Sequence, residues 1–266
     1  MDKQVQEKHK NHGTYFVPGL FRGLRVLEVI AKNEKPMTVS EVGRAIGVSR
    51  SSAFRLIYTL NDMGFVASPD DNRTFSLGAR VLSLGFSFLA SQDIIEIARP
   101  EMARLRDETG ISSHLAILEK DEVLFLECIQ SKSGYISNVN VGTRRPAYAS
   151  PLGWLMLSNY PVRELVNKFK DAELTKLTEL TPATVNEIVD CVSKAGAAGY
   201  VVSKGIVAKG GYSISAPIFD DTGCIAAAID ISGPTSAFEG LDIDGKLVPR
   251  VKAAADSISK SLGYTG

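Results

Sequence analysis

The chain has 266 residues, a mass of 28.6 kDa and a formal net charge of zero, with 44% hydrophobic and 23% charged residues. This length predicts one large domain or two ordinary ones, and the composition excludes a small disulfide scaffold, a disordered chain and a coiled-coil rod. No run of about 18 apolar residues occurs, and the polar residues 1–12 do not resemble a signal peptide, so we expect a soluble cytoplasmic protein.

Cysteine and histidine are too scarce and scattered to favour a metal centre. Cys128, Cys191 and Cys224 form no Cys-x-x-Cys pair, so reduced thiols are expected. His114 is the only histidine outside the N-terminal tail, which leaves a zinc site short of ligands and a Ser-His-acid triad with one candidate base. We therefore expect no enzyme activity, metal or cofactor, and interpret His114 as a strand residue satisfied by its neighbours.

The charges are distributed unevenly along the chain. Residues 21–90 carry 9 basic and 6 acidic side chains, whereas residues 91–266 carry 18 and 22. A small basic part therefore precedes a larger, mildly acidic one. This asymmetry favours contact of the first part with a polyanion.

Residues 1–19 show no hydrophobic period and are interpreted as a flexible tail, whereas residues 20–78 predict three helices and a β-hairpin. Thr38 or Ser40 can cap the second helix, whose inner face would hold Val42, Ala45 and Ile46. That helix should end at Gly47, and the third should run from Arg50 to Met63. A hairpin follows, with strands at 65–67 and 74–77. This order of elements is that of a winged helix-turn-helix.

The third helix has an unusual outer face. It combines two arginines with several hydroxyl groups, and no acid occurs before Asp62. Such side chains can contact phosphates or base edges in the major groove, and the wing can reach the DNA backbone or minor groove. An ordinary solvated face is the alternative. The predicted DNA-binding residues are Thr38, Ser40, Ser49, Arg50, Ser51, Ser52, Arg55, Tyr58, Arg73 and Thr74.

Residues 79–91 predict an amphipathic linker helix, and residues 92–266 a larger domain. Its helices are expected at 94–109, 151–158, 161–169, 184–198 and 244–262. Its strands are expected at 113–118, 123–130, 135–141, 212–219 and 225–231. The simplest architecture is α+β, a mixed antiparallel sheet flanked by helices.

A Gly- and Pro-rich loop over residues 141–153 leads into one of these helices. The helix start offers free N–H groups to an anion, and hydroxyl-bearing strand residues nearby could line a pocket with apolar walls. A loop and strands that serve only packing are the alternative. The candidate effector-binding residues are Arg144, Ala147, Tyr148, Ser150, Leu152, Leu155, Met156, Ser213, Ser215, Asp230 and Ser232.

Three segments resemble the IclR-type transcriptional regulators, named for the isocitrate lyase regulator. They are Arg22-Gly23-Leu24-Arg25-Val26-Leu27, the run Gly-x-x-x-Pro-x-x-Ala-Ser-x-x-Gly from Gly142 to Gly153, and Ser215-Ala216-Pro217-Ile218-Phe219-Asp220 followed by Ile231-Ser232-Gly233-Pro234. The resemblance covers residues 20–263. It implies a winged helix for operator DNA, a linker helix for dimerisation and a GAF-like C-terminal domain that binds a small carboxylate or aromatic catabolite.

Carried over residue by residue, the family's pocket falls near Ala147, Leu155, Ser213, Asp230 and Ser232. Ser213 stands where some relatives have cysteine, and Asp230 where some have serine. An unpaired acid would disfavour a carboxylate ligand, so a phenolic, amine-bearing or neutral effector gains weight; alternatively, Asp230 binds a water or Arg144.

The function predicted from these features is an effector-responsive DNA-binding regulator of a catabolic operon, sensing an aromatic catabolite or a short oxoacid. Its partners would be double-stranded operator DNA, the effector and a second copy of the chain, as a homodimer or a dimer of dimers (homotetramer), with no membrane. The competing class is a small-molecule sensor or enzyme whose winged helix contacts proteins.

Overall fold

The computed structural model describes residues 15–69, 73–91, 93–132 and 139–266. By its internal contacts the chain divides into two compact units, with the division after Ser91. Among the described residues, no single helix is long and apolar enough to cross a membrane; one bent pair, Arg80–Leu89 with Asp93–Thr109, passes by length and composition only.

The first unit consists of helices and a small sheet. In chain order its elements are α1 (Pro18–Lys32), β1 (Met37–Thr38), α2 (Val39–Ile46), α3 (Arg50–Asp62), β2 (Val66–Ala67), β3 (Thr74–Leu77) and α4 (Arg80–Ala90). The strands pair antiparallel in the order β1-β3-β2. The predicted helices and hairpin are therefore confirmed, and β1 was not predicted because two residues are too short to show alternation.

Capping explains where α2 and α3 begin and end. Thr38 and Glu41 form a reciprocal capping box at the start of α2, and Gly47, with φ of 70°, ends that helix in the left-handed conformation. Ser49 then caps α3 by accepting a hydrogen bond from the Ser52 N–H. A Cβ on Gly43 would lie 3.2 Å from the Val48 carbonyl oxygen, so the glycine permits a close crossing of the two helices.

The core of the first unit joins α1, α2, α3 and the sheet. Ala45, which was expected on the inner face of α2, is exposed, because the buried side of that short helix is centred on Val42 and Gly43. The buried apolar residues of this core are Val26, Ile30, Met37, Val42, Ile57, Val66 and Phe75.

The second unit is α+β, as predicted. Its elements are α5 (Asp93–Thr109), β4 (Ser112–Glu119), β5 (Glu122–Ile129), β6 (Arg144–Pro146), α6 (Pro151–Leu157), α7 (Val162–Phe169), α8 (Val185–Ala198), β7 (Val201–Lys204), β8 (Gly211–Phe219), β9 (Ile225–Pro234) and α9 (Val248–Ser261). The strands form one sheet in the order β6-β5-β4-β9-β8-β7, and each pairing is antiparallel.

Helices cover both faces of this sheet. Every residue of α6 is buried, and α6 packs with α8 over the face that carries Ala116, Phe125 and Ala228. On β4, Ser113 donates a hydrogen bond to a carbonyl of α5, so His114, the next residue, points to the face under α6.

In the second unit two strands were missed, and one predicted strand cannot be compared. β6 and β7 have only three and four residues and show no clear alternation. The strand expected over 135–141 lies mostly outside the described residues, and residues 139–141 are not strand.

Candidate functional site

The outer face of α3 is exposed as its sequence suggested. Ala53 and Ile57 are buried, while Arg50, Arg55 and Tyr58 are exposed on the same helix. Among the described residues, neither arginine forms a salt bridge or a side-chain hydrogen bond. Both guanidinium groups are therefore free to bind an anion.

The hydroxyl groups near this face divide into two kinds. Thr38 and Ser49 use their side chains as helix caps, and Ser52 shares its hydroxyl with Ser49 at 3.0 Å. Ser40 and Ser51 are exposed, with no side-chain hydrogen bond in the described part of the chain. Ser40 and Ser51 are thus the serines whose hydroxyls are not already used for structure.

Phe54 is an exposed residue of α3 that the sequence interpretation left out. Its side chain is 51% exposed, and its ring centroid lies 6.3 Å from that of Tyr58, one turn further along the helix. The i, i+4 spacing of two aromatic residues outside the apolar stripe was the signal for this pair. It adds an apolar surface, suited to thymine methyl groups, beside the arginines.

The wing carries the other two predicted DNA-binding residues. Arg73 is exposed and directly precedes β3, and Thr74 is half-buried at the start of that strand. The turn residues 70–72 lie outside the described residues. Within the described part of the wing, Arg73 is the exposed cation.

The second unit contains a cavity of about 180 Å³ between the sheet and the loop that leads into α6. Strand pairing explains why residues distant in sequence meet here. Ser213 lies opposite Ser203 on β7 and Ser232 on β9, so the three hydroxyl-bearing residues form a row across one sheet face. The predicted effector-binding residues that line the cavity are Ser150, Leu152, Ser213, Asp230 and Ser232.

The other six predicted effector-binding residues do not line this cavity. Arg144 forms salt bridges with Glu119 and Glu122 at the edge of the sheet, and the Tyr148 hydroxyl donates to the Thr175 carbonyl at 3.0 Å. Ser215 is fully buried, and its hydroxyl has no hydrogen-bond partner among the described residues. Leu155 and Met156 belong to the apolar core because α6 is buried on all sides, and Ala147, in the turn before α6, is buried in the same core.

Arg145 is the important cavity residue that the sequence interpretation missed. Arg144 and Arg145 are neighbours on β6 and therefore point in opposite directions. Only a predicted strand over residues 144–146 would have shown that the two side chains point to opposite faces of the sheet. The remaining unpredicted lining residues are Val139, Pro151, Ser203, Ile206, Val207, Ala208, Gly211, Tyr212 and Gly233.

Asp230 is paired, but not with Arg144. The His114 Nδ1 atom lies 2.7 Å from the Asp230 Oδ1 atom and 3.2 Å from the Ser232 hydroxyl, and His114 is completely buried. The alternative that Asp230 binds Arg144 is wrong, since Arg144 pairs with glutamates outside the cavity. The expectation that His114 is satisfied by its neighbours is confirmed.

Burial shifts the pKa values of two side chains near the His114–Asp230 pair. It lowers the pKa of Arg145, an effect that the nearby Asp230 carboxylate opposes. It also raises the pKa of Cys128 to about 12, and the negative charges of Asp230 and Glu127 add to this shift. Asp230 therefore influences groups on β5 and β6, and the described lining of the cavity presents one cation and one carboxylate.

Comparison with known proteins gives matches over nearly the whole chain. Residues 19–70 match the IclR helix-turn-helix domain, and residues 86–260 match the domain described as bacterial transcriptional regulator IclR C-terminal. The Pca regulon regulatory protein of Pseudomonas putida is 27% identical over 93% of this chain and 84% of its own.

Solved structures agree with these matches. A putative transcriptional regulator from Rhodococcus sp. RHA1 is 30% identical, with a TM-score of 0.80 over 93% of this chain and 98% of its own. An IclR homologue from Microbacterium hydrocarbonoxydans, complexed with 4-hydroxybenzoate, is 25% identical, with a TM-score of 0.77 over 92% and 98%.

Proposed function

The chain belongs to the IclR family of bacterial transcriptional regulators, and we propose that it is an effector-responsive regulator of a catabolic operon. Like these relatives, it is a transcriptional regulator rather than an enzyme. Residues 20–78 form the DNA-binding domain in this proposal, residues 79–91 the linker and residues 92–266 the effector-binding domain. The runner-up function, protein contact through the winged helix, lacks a supporting observation.

The exposed face of α3 is the observation that carries the proposal. Arg50 and Arg55 extend from a helix whose start is fixed by the Ser49 cap, and no described acid neutralises them. We propose that α3 enters the major groove, where arginine reads guanine and the Phe54–Tyr58 pair contacts thymine methyl groups. Arg73 contacts the DNA from the wing.

The cavity of the second unit is the proposed effector site. About 180 Å³ is enough for one ring or a short chain, since a protein cavity of about 150 Å³ accommodates benzene. The 4-hydroxybenzoate bound to the Microbacterium homologue supports an aromatic catabolite as the first choice. Short oxoacids are the second.

A homodimer is the proposed assembly, with a dimer of dimers as the alternative. One winged helix covers a single half-site, and two copies gain DNA affinity by binding two half-sites together. The linker helix α4 leaves four large apolar side chains exposed, and these support contact with a second copy. They are Leu82, Leu84, Phe86 and Phe88.

A binding titration tests the proposed function. Full-length protein is titrated against labelled DNA flanking its own coding region, with scrambled DNA of equal length as the control. We expect binding at least about 10³-fold tighter to the flanking DNA, which is the lower end for specific regulators. Equal binding to both DNAs would contradict operator recognition.

A further inference from the structure

The effector cavity holds two opposite charges that differ in how far the protein satisfies them. Arg145 lines the cavity with its guanidinium carbon 5.4 Å from the centre of the Phe125 ring. Among the described residues, its side chain forms neither a salt bridge nor a hydrogen bond, so the guanidinium donors have no described acceptor. A guanidinium group with free donors is suited to a carboxylate, which it binds with two parallel hydrogen bonds.

Among the described residues, hydrogen-bond partners of the Asp230 carboxylate contact one of its two oxygens. Its side chain is 7% exposed, and Oδ1 is held by His114 at 2.7 Å. No described residue donates a hydrogen bond to Oδ2. Because Asp230 lines the cavity, Oδ2 is the oxygen left for a ligand.

His114 keeps the Asp230 carboxylate in place. The two residues lie opposite each other on β4 and β9, and the imidazole is fully buried. The Oδ2 atom, which has no described donor, can accept a hydrogen bond from a ligand. A hydroxyl group supplies one, at a lower dehydration cost than an ammonium group, which brings three.

We propose that this cavity binds a hydroxy monocarboxylate, whose carboxylate pairs with Arg145 and whose hydroxyl donates to Asp230. The proposal rests on the proposed function, because it takes the cavity as the effector site. It also excludes dicarboxylates: Arg145 is the one cation that lines the described cavity, and a second carboxylate would meet Asp230.

Two matched sets of acids test the proposal, each varying only the group distant from the carboxylate. The first is 4-hydroxybenzoate, 4-methylbenzoate and terephthalate; the second is 5-hydroxypentanoate, hexanoate and adipate. Calorimetric titration of the full chain should show that a hydroxy acid binds about tenfold or more tightly than its methyl analogue, and that the dicarboxylate binds weakest. Equal or tighter binding of the methyl acid or dicarboxylate in both sets would overturn the proposal.

Three variants assign the two ends of the ligand. Arg145→Gln should weaken binding of the hydroxy acid and of its methyl analogue by similar factors. Asp230→Asn should reduce the preference for the hydroxyl and strengthen binding of the dicarboxylate, a gain that misfolding would not produce. Arg144→Gln is the matched control, because that neighbour pairs with Glu119 and Glu122 and should leave all affinities unchanged.

The opposite pattern would overturn the assignment: equal losses for all three acids in Asp230→Asn, or equal losses in the Arg144 and Arg145 variants. If neither hydroxy acid binds while the flanking DNA is still recognised, the effector class is wrong and the DNA-binding function stands. If specific DNA recognition fails as well, the proposed function fails with it.

Discussion

At the scale of single residues, burial determines how the cysteine beside the His114–Asp230 pair reacts. Cys128 lies opposite His114 in the β4–β5 pairing, and its pKa of about 12 keeps the thiol protonated near neutral pH. Alkylating reagents attack the thiolate. Cys224, by contrast, is exposed.

We therefore predict that iodoacetamide at pH 8 modifies Cys224 and leaves Cys128 unmodified in the folded protein. Peptide mass spectrometry measures the extent at each site. The urea-unfolded chain is the control, in which all three cysteines should react. Labelling of Cys128 as fast as Cys224 in the folded chain would contradict the raised pKa of the Cys128 thiol.

Single residues also show the limits of sequence inference. Asp230 and Ser232 were identifiable as cavity residues because they alternate along a clear strand. Their partner His114 is more than a hundred residues away, and only the β4–β9 pairing brings it within 2.7 Å of Asp230. Arg145 was missed for a local reason, since three strand residues give no alternation that distinguishes it from Arg144.

At the scale of elements, helix ends were the most predictable features. Thr38 and Gly47 were predicted as helix ends and act as caps through hydrogen bonds with near neighbours, whereas Ser49, predicted only as a DNA-binding residue, also acts as a cap. The short strands β1, β6 and β7 form through pairing with distant strands, which local sequence does not specify.

Removing the Ser49 cap tests how α3 is held. The Ser49→Ala change should destabilise the start of the helix by about 0.5–2 kcal/mol, because the Ser52 N–H loses its acceptor. Hydrogen exchange over residues 50–56 should become about 2–30-fold faster. The matched control is Ser51→Ala, at an exposed hydroxyl with no described partner; equal acceleration in both would show that Ser49 is not the cap.

At the scale of the whole molecule, the charge asymmetry already indicated two functional parts, and the structure divides after Ser91. Sequence patterns could not predict which side of α4 stays exposed, since apolar residues surround that helix. The exposed side chains include Leu84 and Phe86, whereas Leu89 is half-buried.

The exposed apolar side chains of α4 predict how the dimer can be broken. Glutamates at Leu82 and Phe86, one turn apart, should convert the protein to a monomer by placing charges in the apolar contact. Sedimentation velocity at micromolar concentration measures the change. The matched control places glutamates at Ser83 and Ser87 of the same helix and should remain dimeric; a wild type that is already monomeric would contradict the assembly.

Operator binding by arginine variants of α3 tests the central claim most directly. The titration compares wild type, Arg50→Ala, Arg55→Ala and, as a charge-matched control in the second unit, Arg163→Ala. If α3 reads the major groove, each α3 variant should lose about 1–3 kcal/mol of operator affinity, and the control should bind as the wild type does. Wild-type operator affinity in both α3 variants would remove this helix from the groove and contradict the account.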